Sequence, residues 1–321
     1  MKRAASVLAN DSLLLLTALI WGLAFVAQRA GMEHVGPFTY NAVRFALGAL
    51  VLLPLIALRG RPEAKAPGAR LSAVGASEAL AAGGAAPPRM SPLVAGLAAG
   101  AVLFFGASLQ QVGIVSTAAG KAGFITGLYV VLVPLAGLLW GQKAGASAWV
   151  GALLSTAGLF LLSFTDALTI ERGDLVVLAG AFFWAAHVQV VGALSPRTDP
   201  LRLACVQFAV CSVASGAVAI AVEHPDAAGI RAAALPILYG GVLSVGIAYT
   251  LQVVAQRRAP PAHAAILLSL ESVFAALGGG LILGERLGPR GAAGCAVMFA
   301  GMLVSQAPVV VSSLAAGRSR G

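Results

Sequence analysis

Residues 12–30 read Ser12-Leu13-Leu14-Leu15-Leu16-Thr17-Ala18-Leu19-Ile20-Trp21-Gly22-Leu23-Ala24-Phe25-Val26-Ala27-Gln28-Arg29-Ala30. Up to Arg29 the run carries no charge, and its length matches the about 20 apolar residues a helix needs to cross a bilayer. Working outward, the same reading predicts spans at 12–30, 38–58, 92–112, 118–140, 146–164, 173–194, 200–222, 232–254, 262–284 and 289–311. The composition agrees. Of 321 residues, 59% are hydrophobic and only 10% charged, and the mean hydropathy is +0.91. Soluble domains run near a quarter charged, and disorder requires low hydrophobicity with high charge, so the sequence argues against both classes. Strands of a membrane barrel would alternate polar and apolar residues. Here 39 glycines instead favour helices packed through small side chains.

The net charge of +9 would point to nucleic acid in a soluble chain. In a membrane chain basic loops set orientation, and no nucleic-acid partner is expected. Fourteen Lys and Arg fall on the side of the N-terminus and six on the other, with Arg44 left inside a span. This bias predicts both termini in the cytoplasm of a multi-pass protein of the cell (inner) membrane. Met1-Lys2-Arg3 ahead of the first run imitates a signal peptide, but it lacks a convincing cleavage site, and the run is read as the first helix. Cys205, Cys211 and Cys295 lie in apolar runs without metal-ligand spacing and read as packed thiols.

A self-comparison organises the spans. Trp21 and Trp184 are 163 residues apart, and Val43-Arg44-Phe45 faces Val206-Gln207-Phe208 at the same offset. Later the offset becomes 143: Gly141-Gln142-Lys143 matches Gly284-Glu285-Arg286, and Gly151 and Gly158 match Gly294 and Gly301. The change falls at residues 59–91, an Ala/Gly/Pro-rich stretch read as a flexible cytoplasmic linker. The expected organisation is therefore one repeat over 1–58 and 92–164, a second over 173–311, and a cytoplasmic tail at 312–321. Five spans per repeat is odd, so the halves are inverted. Such a pair presents a midplane site alternately to either side.

Ser269-Leu270-Glu271-Ser272-Val273-Phe274-Ala275-Ala276 and Leu283-Gly284-Glu285-Arg286-Leu287 resemble the EamA family of the drug/metabolite transporter superfamily. Phe124 to Pro134, Gly141-Gln142-Lys143 and Trp21-Gly22 carry the same resemblance in the first half. Ser272 stands where the family often has proline. The resemblance implies ten helices in two inverted repeats, a central cavity, and secondary transport, often export, of metabolites such as amino acids.

Charges inside spans are rare and mark functional candidates. Glu271, midway along span nine, reads either as a protonatable or substrate-ammonium-binding group or as a structural carboxylate. Arg44, on one face with Asn41 and Gly48, reads either as a carboxylate-binding group or as an anchor. Arg44 lies about 9 Å and Glu271 about 20 Å from the outer ends of their spans, so a solute or water is expected between them. A second tier combines Trp21, Phe25 and Gln28 on one face of span one; Gln110 and Gln111; Thr126 and Tyr129; Trp184 and His187; and Tyr249, Gln252 and Gln256. These residues read as cavity lining or as interhelical hydrogen bonds. Gly278-Gly279-Gly280 is a candidate hinge for an outer gate, alongside a packing role. Gly96-x3-Gly100 and Gly137-x3-Gly141 read as sites of close helix approach.

No phosphate loop, metal cluster or nucleophile–base pair is present in the sequence, and no cofactor is expected. The leading reading is a secondary transporter for a small molecule in the lipid bilayer, with protons as candidate coupling ion. A lipid or lipid-linked-sugar flippase on the same fold is the first alternative, and an integral membrane enzyme the second.

Overall fold

The computed structural model describes residues 2–59, 89–117, 119–163, 171–283 and 288–318. Most of the expected linker 59–91 lies outside them. The main helices, in order, are α1 (Lys2–Gly31), α2 (Pro37–Leu58), α3 (Pro92–Gly113), α4 (Ala119–Gly127), α5 (Tyr129–Leu139), α6 (Ala146–Ser163), α7 (Arg172–Leu194) and α8 (Pro200–Val222). Short helices α9 (Ala227–Ala232) and α10 (Ala234–Leu238) lead into a π-helical stretch, Tyr239–Tyr249. Helices α11 (Thr250–Ala255), α12 (Pro261–Leu268), α13 (Glu271–Leu283) and α14 (Pro289–Arg318) complete the chain. Among the described residues no strand occurs. Among the described residues seven helical stretches are long and apolar enough to cross a membrane, and Ala146–Leu161, Pro261–Leu277 and Pro289–Ser305 are shorter apolar helices. The chain is a multi-pass helical membrane protein. Helix α14 continues to Arg318, into the stretch expected as a tail.

Local chemistry sets the helix starts. Proline, whose fixed φ suits the first helical turn, opens α2, α3, α8, α12 and α14. The Ser91 hydroxyl accepts from Leu93 N and the Asp199 carboxylate from Arg202 N, capping α3 and α8. Gly141 adopts φ 71° just beyond α5, a conformation that ends helices and favours glycine. Its role is therefore termination, and a Cβ there would meet nothing within 4 Å. Close approach is instead seen at Gly96 and Gly100, which pack against Val206 and Val210 of α8.

Two features were not foreseen. Spans four and nine are each broken, at Leu128 between α4 and α5, and at Ser269-Leu270 between α12 and α13. Gly127 and Leu270 are separated by 143 residues, the offset of the sequence repeat. Span eight is wound as a π-helix over Tyr239–Tyr249.

Helices matched by the sequence offsets pack in opposite directions. A Cβ on Gly151 would lie 2.8 Å from Gly301 O, and one on Gly158 would lie 2.6 Å from Gly294 O, so α6 and α14 cross antiparallel. Helix α2 starts where α8 ends, since the Glu223 carboxylate accepts from Phe38 N (2.9 Å), Thr39 N (2.8 Å) and Thr39 Oγ1 (2.6 Å). Helix α7 starts where α1 and α3 end: Arg29 Nη1 donates to Ile114 O and Val115 O, and Thr117 Oγ1 donates to Asp174 Oδ1. Replacement of Gly158 by Leu should overpack the α6–α14 crossing and cost about 1–3 kcal/mol. A lower thermal midpoint in detergent would register the loss, while Gly288→Ala, in open space, should leave it unchanged.

Candidate functional site

A small central cavity lies between the halves, with ≈ 30 Å³ open to the centres of water molecules, room for about two waters. Both broken spans reach it. Thr126 of α4 and Tyr129 of α5 line it from one half, and Leu268 of α12 and Glu271 of α13 from the other. A break in a helix turns side chains and backbone ends inward that a continuous helix would hide. Glu271 opens the first turn of α13, where the helix dipole favours a negative charge. Its Oε1 is buried without a hydrogen-bond partner, as is Tyr129 Oη. The two side chains interact electrostatically, but neither atom makes a hydrogen bond of normal geometry within the protein.

Arg44 also lines the cavity and is 1% exposed. Its Nε donates to Asn41 Oδ1 at 2.9 Å, and Asn41 Nδ2 donates to Ala107 O of α3 at 3.1 Å. The guanidinium carbon sits 5.4 Å from the Tyr40 ring centre and 4.8 Å from that of Phe45, a cation–π environment. Arg44 and Glu271 do not pair with each other. A buried guanidinium and a buried carboxyl group thus border one cavity without pairing with one another.

Between the charges stands an aromatic wall. Tyr249 lies between the tryptophans of the two repeats, with ring centres 4.5 Å from Trp21 and 6.0 Å from Trp184. Each indole is held by its N–H, Trp21 by Ser244 O at 3.2 Å and Trp184 by Gln110 Oε1 at 2.8 Å. Gln110 is a hub, because its Nε2 also donates to Gln28 Oε1 at 3.0 Å. Next to Trp21, a Cβ on Gly22 would lie 2.5 Å from Glu271 O and 2.8 Å from Ala275 N. Only glycine lets α1 lie this close to the start of α13.

Of the candidates from sequence, Trp21, Arg44, Thr126, Tyr129, Trp184, Tyr249, Gln252 and Glu271 line the cavity. Asn41 and His187 do not. Asn41 is spent on Arg44 and Ala107, and His187 Nε2 lies 3.0 Å from Gln207 Oε1 behind the aromatic wall. Gly278, Gly279 and Gly280 continue α13 without interruption; the interruption of this span is at Ser269-Leu270. Ser244, Val188 and Leu268 join the lining unannounced.

A family model described as the EamA-like transporter family matches residues 9–164 and 171–306. An uncharacterized transporter of Archaeoglobus fulgidus is 28% identical over 300 residues, which covers 93% of this chain and 84% of that protein. An uncharacterized protein of Pseudomonas aeruginosa is 29% identical over 289 residues, covering 86% of this chain and 88% of that one. A solved crystal structure superposes with a TM-score of 0.72 over 95% of this chain and 98% of its own, at 18% identity; that likeness concerns the fold alone.

Gln110→Leu tests the hub. It strands the Trp184 N–H and the Gln28 side chain in a buried site, which should cost roughly 1–3 kcal/mol. Thermal unfolding with tryptophan emission as readout should show a lower midpoint and a shifted emission maximum.

Proposed function

Because the chain belongs to the EamA-like transporter family, we propose that it is a secondary transporter moving a small metabolite, an amino acid or similar drug-like solute, by alternating access. The observation that carries this reading is the pair Arg44 and Glu271, buried on one cavity and unpaired with each other. A solute bearing both an ammonium and a carboxylate complements them, with the forked guanidinium suited to the carboxylate. The aromatic wall of Trp21, Tyr249 and Trp184 supplies a face for its apolar part or for cation–π contact with its ammonium.

The two halves act in this reading as inverted five-span repeats, ten spans in all. The antiparallel crossing of α6 and α14, and the breaks in spans four and nine at the repeat offset, support that symmetry. Both termini are assigned to the cytoplasm of the cell (inner) membrane, in keeping with the Lys and Arg bias, and export is the direction the family resemblance implies. The cavity in this conformation holds little more than water, so a solute enters when the halves part on one side. Glu271 is the candidate proton carrier, with Tyr129 beside it.

Purified protein in proteoliposomes, offered labelled amino acids under an imposed pH gradient, tests the reading. The wild type should accumulate at least one of them above equilibrium. Glu271→Gln should abolish gradient-driven accumulation while leaving binding measurable, and full gradient dependence in this variant removes Glu271 from coupling. Arg44→Lys should raise KM about tenfold, the loss of one bidentate, charge-assisted contact. Reporter fusions at either end should place both termini in the cytoplasm.

A further inference from the structure

We propose that His263 and Asp11 form a second proton-binding site, separate from Glu271, that clasps the first turn of α12 onto α1. His263 Nε2 lies 2.8 Å from Asp11 Oδ1, with side chains 15% and 7% exposed. The contact joins the two halves at the end of the bundle where α1 enters it. Asp174 is the counterpart of Asp11, 163 residues on. At the opposite end of the bundle it accepts from Thr117 Oγ1 at 3.1 Å, just ahead of α4, the counterpart of α12. Each repeat therefore begins with an aspartate that holds the start of the other repeat's broken span. At one end the aspartate accepts from a threonine hydroxyl and from Glu171 N, and at the other it meets an imidazole.

That difference gives the two ends different chemistry. A threonine hydroxyl keeps its proton at every physiological pH. Histidine is the side chain that changes charge between pH 5 and 8. With His263 protonated the contact is a charge-assisted ion pair, about twice as strong as a neutral hydrogen bond, and partial burial limits its screening by salt. With His263 neutral one ordinary hydrogen bond remains. Acid therefore tightens the Asp11 end, whereas the Thr117 hydroxyl gains no charge.

Helix α12 packs against α1, α5, α6, α7 and α14. On these elements Tyr129 faces the cavity, His187 is bonded to Gln207, and Arg290 lies over Phe160. Arg29 and Asp174 are at the far end with Ile114 and Thr117. Arg257 and Arg258 occupy the turn before α12. Asp11 is the carboxylate bonded to His263. In the alternating-access reading, on which only this consequence rests, proton binding here favours closure of one specified side while Glu271 serves the solute site.

Hydrogen exchange of the full chain in lipid nanodiscs, corrected for the intrinsic pH dependence of exchange, tests the clasp without requiring transport. Peptides spanning 8–20 and 261–270 should exchange about threefold more slowly at pH 5.5 than at pH 8 in the wild type, while those around Thr117 and Asp174 show no such change. His263→Gln and Asp11→Asn should exchange at one fast rate at both pH values. His263→Arg, which keeps the pair charged, should be slow at both and serves as the test if the neutral variants do not fold. No pH effect in the wild type, or a pH effect that survives in His263→Gln or His263→Arg, overturns the proposal. A pH-dependent clasp in a protein that moves no solute would leave the proton site standing and remove the transporter reading instead.

Discussion

Inside a bilayer every backbone N–H and C=O must find its partner within the protein, so a helix can be interrupted only where protein covers the interruption. That constraint organises this molecule. The breaks in spans four and nine and the π-helical winding of span eight all face the other half of the chain. Thr17 Oγ1 donates to Ala248 O, Trp21 Nε1 to Ser244 O, and Tyr239 Oη to Ile20 O, tying α1 to the π-helical stretch. Ser272 Oγ reaches Gly123 O beside the break in span four, and Ser269 Oγ returns to Ile266 O within span nine. Irregular backbone is concentrated at the contact between halves, and the cavity is there for the same reason.

Much of this was legible in the residues and some was not. Hydropathy is a long-range average, so it found the spans despite their interruptions. Arg44 and Glu271 stood out because charge in lipid has few innocent explanations. The breaks left no such trace. Ser269, Leu270 and Leu128 are neither proline nor glycine, so side-chain type at these positions did not mark the breaks. Helix periodicity put His187 on the face of Trp184, but a face is wider than a cavity, and Gln207 of α8 draws the imidazole away. Asn41 shares a face with Arg44 and holds it by a hydrogen bond. Gly22 had a visible motif, Trp-Gly, whose reason emerges only with the backbone of Glu271 against it.

The two repeats have kept a common backbone and divided the chemistry between them. Arg44 corresponds to Gln207, and Glu271 falls opposite Leu128, so each half brings one charge whose counterpart is neutral. The tryptophans are retained in both, yet one donates to a carbonyl and the other to a glutamine. The repeated sequence provides the scaffold, and these departures from it leave the cavity with a guanidinium from one half and a carboxyl group from the other.

The mutually unpaired Arg44 and Glu271 also bear on how an unloaded carrier behaves. In the proposed cycle, an empty site whose Glu271 carries no proton would pass through the occluded state with two opposite charges in a dry interior. A bound dipolar solute would quench both at once, so the loaded form would change sides more easily than the empty, deprotonated one. A carrier of this kind would exchange solute for solute faster than it returns vacant and unprotonated. In this reading the discipline of the cycle comes from electrostatics, with no bolt or lid required to enforce it.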